Sequence, residues 1–298
     1  MLTVLGYEGP QLRAYLLFLK EHHIRIQHLI LLSPMIDVAT KKPVARFLPK
    51  KIRTAMGLKL LSMRMNHWPN MIVLRHKGLY QAITEKMAER YNLPKGFYER
   101  MFKPFNWRDY ADKVDVVSFN GSLKDPTLHD WLAKSAKGAM LYTGGGIVPA
   151  GLLGVDRIRV IHAHPGYLPD VRGADGILWS ALLRRKFGVS CFYMEEGIDT
   201  GDLLFAEEQD MLTFEQPIAN CVDANMLYRA LFAFVDPIIR ADALCRLLKQ
   251  HDNYVSLPAK EQNPLDGETF HFMHPDLRAH VLGQFFLGWK RGIRSGRR

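Results

Sequence analysis

Two histidines separated by one residue close an apolar run, Val160-Ile161-His162-Ala163-His164, and Pro165, Gly166, Tyr167, Leu168, Pro169, Asp170, Val171, Arg172 and Gly173 follow. Side chains alternate across an extended chain, so His162 and His164 face the same way and two imidazoles can look into one cleft. Pro165 and Pro169 stiffen the exit, and Gly166 and Gly173 permit close backbone approach. Further on, Gly197-Ile198-Asp199-Thr200-Gly201-Asp202 sets a carboxylate between glycines, in a loop tight enough to carry it back over a sheet edge. Acyl transfer to an amine needs donors for the tetrahedral oxyanion and a base for the amine proton; imidazole supplies either, and a carboxylate orients it or shuttles protons. His164 with Asp199 fits that division. Two other readings use the same residues: a metal pair, which lacks a third ligand at a telling spacing, and packing histidines at a strand end.

Read together, His164 to Pro169, Arg172-Gly173, Trp179 and Gly197 to Asp202 resemble the folate-dependent formyltransferase family, which includes glycinamide ribonucleotide, methionyl-tRNA and nucleotide-sugar N-formyltransferases. The resemblance covers residues 110–210 well, the N-terminal part loosely and the tail hardly at all. It implies that formyl-tetrahydrofolate is the donor, with no metal. It makes His164 the catalytic histidine that polarises the formyl carbonyl, and Asp199 its partner in proton transfer. Gly146, Ile147, Val148, Gly197 and Ile198 match the backbone lining the folate pterin pocket, while Tyr167, Arg172, Gly173 and Asn120 are expected to bind substrate. One position departs from the pattern: His162 stands where the family carries asparagine. An imidazole still donates one hydrogen bond, so His162 is expected to serve as a third catalytic residue, adding an ionisation near neutral pH.

Elements must place these residues. Leu2–Gly6 reads as a strand, Leu12, Tyr15, Leu16 and Leu19 recur at helical spacing, and Ile26–Ser33 reads as a second strand. The glycine after the first strand suits a nucleotide-binding fold, but the three-glycine dinucleotide fingerprint is missing. Residues 38–70 break the rhythm with Pro43, Pro49 and Pro69 around an amphipathic piece, Ile52–Met65, whose Leu58, Leu61 and Met65 read as packing residues; this is expected to be an insertion. Order resumes at Met71–Leu74 and in a helix near Tyr80–Tyr91. Strands follow at Val114–Phe119, Ala139–Tyr142 and Ile158–His162, with Asp125 and Pro126 opening a helix between the first two. Their C-terminal ends carry Asn120, the Gly144-Gly145-Gly146 run and the two histidines, where open α/β sheets bind ligands. The expected fold is a Rossmann-like α/β domain, an open, mostly parallel sheet with helices on both faces, over residues 1–235, with a short helical or irregular C-terminal appendage over 236–298.

The chain has 298 residues, 48% of them apolar, and a formal charge of +10. Val38 to Thr84 contains no acidic residue, while Lys41, Lys42, Arg46, Lys50, Lys51, Arg53, Lys59, Arg64, Arg75 and Lys77 accumulate there, so an anionic partner or a solvated basic surface is expected. Cys191, Cys221 and Cys245 have neither disulfide-framework nor metal spacing. With no secretory or membrane segment, a cytoplasmic protein is expected. The function expected is formyl transfer to a primary amine of a small anionic acceptor, first an amino sugar linked to a nucleotide. A formyl-tetrahydrofolate hydrolase, another small-amine formyltransferase and a non-catalytic binding protein with a basic docking patch are the alternatives. The resemblance disfavours a tRNA acceptor, because members acting on tRNA usually carry a further β-barrel domain after the catalytic part, whereas Phe214 to Arg298 reads mostly as a helix over Met226–Gln250, a Pro-rich connector and an apolar end. The tail Trp289–Arg298 is also basic. The oligomeric state, including a homodimer, stays open.

Overall fold

The computed structural model describes residues 1–155, 157–212, 214, 223–263 and 265–287; Cys221 and the basic end at 289–298 lie outside them. Apolar β1 (Leu2–Gly6) is followed by α1 (Pro10–Glu21), in which Pro10 sits in the first turn and Leu12, Tyr15, Leu16 and Leu19 are wholly buried. β2 (His28–Pro34) returns beside β1, and after four helices β3 (Lys113–Phe119) pairs with β2. α6 (Pro126–Ser135) is capped as its sequence suggests, the Asp125 side chain accepting from the Thr127 amide. β4 (Gly138–Tyr142), the short α7 (Ala150–Leu153) and β5 (Ile158–His164) complete the parallel set.

One sheet results, in the order β3-β2-β1-β4-β5-β7-β8, where β7 (Lys186–Tyr193) and β8 (Leu203–Asp210) add antiparallel strands beyond β5. This is the Rossmann-like architecture that the alternation of segments implied. The direction of winding reverses between β1 and β4, so their carboxyl ends, with that of β5 alongside, bound the crevice where such sheets hold ligands. Gly6, at the end of β1, is required there: a Cβ would stand 2.1 Å from Thr143 Oγ1.

The basic segment, between β2 and β3 in the chain, packs against the sheet. α2 (Lys50–Met65) runs along the carboxyl edge of the sheet. Ser33 Oγ, near the end of β2, donates to the Thr54 carbonyl (2.7 Å), and Gly57 lies so close to Pro34 that a Cβ would meet its carbonyl oxygen at 2.5 Å. At its far end, Ser62 and Asn66 donate to the buried Glu8 carboxylate beside β1, at 3.1 and 3.4 Å. Leu61 is buried and Leu58 packs on the core, whereas Met65 covers Gly9 and keeps 43% of its surface exposed. Met71–Leu74 falls in α3 (His67–Arg75), followed by α4 (Lys77–Tyr91) and α5 (Phe97–Phe102).

Further along come α9 (Ala224–Ala230), a π-helical turn over Leu231–Val235 and α10 (Asp236–Lys249), an unbroken helical run across residue 235. α10 is core: Ile238, Ile239, Leu244 and Cys245 are buried in one cluster with α1 and the sheet. β6 (Val171–Gly173), just before α8 (Gly176–Arg184), pairs in parallel with β9 (Glu268–Phe270), ahead of α11 (Pro275–Leu287).

Candidate active site

β5 delivers His162 and His164 to its carboxyl end, 7% and 3% exposed. They emerge on the same face, as alternation requires, with Ile161 and Ala163 packed into the core of the other. The loop after β7 brings in Asp199, a non-glycine residue held at φ 55°, in the left-handed region. Its Oδ2 accepts from the Gly173 amide at 2.8 Å and lies 3.4 Å from His164 Nδ1. The structure therefore joins His164 and Asp199.

The ring of His164 is engaged on both sides. Nε2 lies 2.9 Å from the Val171 carbonyl, which can only accept, so Nε2 carries a proton. The space around it is reserved by glycines: a Cβ on Gly166 would stand 2.5 Å from Nε2, and one on Gly176 2.9 Å. With Nε2–H committed, Nδ1 is the ring nitrogen that faces the Asp199 carboxylate. The side from which this pair can be approached is Asp199, whose side chain keeps 16% of its surface against 3% for His164.

His162 differs from expectation. Its Nδ1 lies 2.9 Å from the Tyr142 carbonyl, which fixes the only proton of the neutral ring on Nδ1 and leaves a lone pair on Nε2. Burial, with the Arg240 guanidinium as the next cause, pushes the imidazole down to about 4, so no ionisation near neutral pH arises here. The sequence reading supposed a hydrogen-bond donor that titrates; the folded environment makes His162 a neutral ring whose N–H is spent on β4.

The loops expected to line a pterin pocket are open. Gly146 takes φ 89° with nothing within 4 Å of the place a Cβ would occupy, Ile147 is 70% and Ile198 39% exposed, and Val148 packs below. Gly197 also needs glycine, at φ 121°. Bare glycine backbone beside exposed isoleucine suits a flat heteroaromatic ring.

The expected substrate-binding residues divide. Gly173 is at the site, its amide holding Asp199. Arg172 is buried and donates to Gln262 Oε1 (3.4 Å) and the Asn263 carbonyl (3.2 Å), so it fastens the C-terminal segment. Tyr167 lies under Arg184, 4.6 Å from ring centre to guanidinium carbon. Asn120 belongs to the turn before α6, its Oδ1 accepting from the Ser122 amide. It ends edge strand β3, four strand spacings or about 19 Å from β5, because sequence neighbours β3 and β4 are not neighbours in the sheet. The basic residues are also dispersed. Arg53 donates to the Val44 carbonyl (3.1 Å) and Arg64 pairs with Asp37 (3.3 Å), whereas Lys50 and Lys51 line an open groove of about 580 Å³ against β3 and Trp131.

Sequence patterns missed the residues that hold the Asp199 loop. Gln262 Nε2 donates to the carbonyls of Asp199 (3.1 Å) and Gly201 (2.6 Å). β9 pairs Phe270 with Gly173, whose Cβ, if present, would stand 2.2 Å from the Phe270 oxygen, and Trp179 stacks on Phe270 while donating to the His271 carbonyl. No local periodicity marks a glutamine and a three-residue strand that far along the chain.

Among known proteins, the chain is 36% identical to a methionyl-tRNA formyltransferase of Syntrophus aciditrophicus over 143 residues, 47% of this chain and 45% of that protein. It is 37% identical to a methionyl-tRNA formyltransferase of Lachnospira eligens over 109 residues, 36% of this chain and 35% of that one. The chain thus matches less than half the length of these relatives. No family model matches. A solved sugar N-formyltransferase from a Shewanella species shares 12% identity at a TM-score of 0.45, over 95% of this chain and 86% of that one, a likeness too weak to carry a role across.

Proposed function

We propose that the chain is a formyltransferase, on the strength of the segment it shares with these relatives, and that it moves a formyl group from formyl-tetrahydrofolate to a primary amine. The observation that carries the proposal is the His164–Asp199 contact of 3.4 Å at the carboxyl end of β5. The loops around Gly146, Ile147 and Ile198 would hold the folate, which supplies the formyl carbon. The His164–Asp199 pair would take the proton that the amine loses on acylation and pass it to the folate nitrogen as the bond to the formyl carbon breaks, so the pair ends as it began; a hydrogen bond from the pair would ease the charge on the formyl oxygen meanwhile. Gly173 and Gln262 keep Asp199 within reach of the imidazole throughout.

The acceptor we favour is small and anionic, an amino sugar linked to a nucleotide, in a cytoplasmic setting. Supporting it are Lys50 and Lys51 of α2, exposed in an open groove at the β3 edge of the same sheet. The aminoacyl amine of a tRNA, the acceptor named for the relatives, is the competing acceptor. A second reading, a formyltransferase-like binding protein, gains from His162, whose N–H is unavailable to an oxyanion. Purified protein with formyl-tetrahydrofolate, assayed for folate release against amino-sugar nucleotides, small amines and methionyl-tRNA, separates them. Release that requires an amine is expected; release without any amine identifies a hydrolase, and none under any condition leaves the binding protein.

A further inference from the structure

Beneath the histidine pair lies a buried charged group that no sequence motif contains. Arg240, on α10, directs Nη1 to the carbonyl of Ala163 at 3.2 Å, the residue between His162 and His164. The register of β5 with β4 ends at Ile161, so this contact falls where β5 leaves its parallel neighbour. Nη2 donates to Asp236 Oδ2 at 2.7 Å and to Gln11 Oε1 of α1. The side chains of Arg240 and Asp236 are 12% and 1% exposed. A guanidinium taken this far out of water is costly unless its geometry is fixed and its charge matched, and here one planar fork ties two helices to one peptide of the catalytic strand.

We propose that Arg240, braced by Asp236 and Gln11, is a positioning residue for the histidine pair, fixing the peptide between the two imidazoles from α10. Its charge acts in the same direction as its geometry. The groups that face His162 are Arg240 from α10, Asp199 from the loop after β7, His164 on β5 and the Tyr142 carbonyl on β4. Burial does most to keep His162 uncharged and the Arg240 guanidinium comes next, so Arg240 helps preserve the Nδ1–H to Tyr142 that orients the ring. Asp236, which also faces His164 and Asp175, holds Arg240 in place and must be neutralised with it, since alone it would be an unmatched buried carboxylate. The effect on turnover rests on the reading of His164 and Asp199 as the working pair; the effect on His162 does not.

Nitrogen NMR of the His162 ring in the full-length protein tests this alongside steady-state kinetics. In the wild type His162 is expected to stay neutral, protonated on Nδ1, down to about pH 4. In Asp236→Asn/Arg240→Met its midpoint is expected to rise by about one pH unit or more, with kcat down about tenfold and KM for formyl-tetrahydrofolate within about threefold of wild type. Arg240→Lys keeps the charge but not the fork, so the midpoint should hold while kcat falls. A folded double variant with an unchanged midpoint overturns the proposal, as does Arg240→Lys at wild-type kcat should the double variant not fold. A protein inactive toward every amine sinks the proposed function, and the midpoint still decides the role of Arg240.

Discussion

At the scale of single residues the site is decided by where protons are already committed. His164 Nε2–H belongs to the Val171 carbonyl and His162 Nδ1–H to that of Tyr142, so the ring nitrogen left for chemistry is His164 Nδ1, which faces Asp199 Oδ2 at 3.4 Å. His164→Ala and Asp199→Asn should each lower kcat by about two orders of magnitude or more, and the double variant scarcely further, because both act on one proton; single-turnover kinetics of the three variants checks it. His162 gives a separate test through stability. Its folded value of about 4 lies below the usual histidine range, so the unfolded chain binds the extra proton first and stability falls as pH drops from about 6.5 to about 4, by on the order of 3 kcal/mol. Above that window its contribution is fully present. His162→Asn should flatten this part of the curve of melting temperature against pH; a variant curve parallel to wild type throughout would show that His162 is not buried neutral.

Among elements, the short C-terminal strand and the residues before it do more than their length suggests. β9 closes on Gly173, the residue whose amide holds Asp199, and Gln262 spans the Asp199 and Gly201 carbonyls from the same segment. Replacing Gln262 by leucine leaves two backbone carbonyls facing a side chain that cannot donate, at a cost of about 1–3 kcal/mol. The expected result is a lower kcat with KM for donor nearly unchanged, together with faster amide exchange in 197–202. Wild-type exchange and turnover in Gln262→Leu would show that the loop is held by other contacts.

For the whole molecule, α2 changes what the positive charge can be for. Lying across the carboxyl ends of β2 and β1, it forms a wall of the crevice, yet its exposed Lys50 and Lys51 point into a groove at the β3 edge, about 19 Å from β5. That separation exceeds the screening length of roughly 8–10 Å at physiological salt. Lys50→Ser/Lys51→Ser should therefore raise KM for an anionic acceptor at low ionic strength, lose that effect as salt increases, and leave kcat alone. A fall in kcat at saturating acceptor would mean that these lysines reach the reacting groups.

The strands and helices were legible because their signals are local: short apolar runs mark β1, β4 and β5, helical spacing marks α1, and Asp125 with Pro126 marks the start of α6. His164 and Asp199 were legible as residues because proline and glycine punctuate the loops that carry them. What the sequence could not supply is which strands become neighbours, and this removed Asn120 from the site, since the crossover from β3 passes beneath β2 and β1 before β4 is laid down. Nor could it supply protonation. Whether an imidazole donates or accepts depends on the one carbonyl it meets and on the charge buried behind it, and for His162 these are Tyr142 and Arg240, contributed by segments 20 and 78 positions away along the chain (162 − 142 and 240 − 162). Such contacts cost no more to close at long sequence separation than the fold has already met, so they leave no periodic trace for a reading of the chain to find.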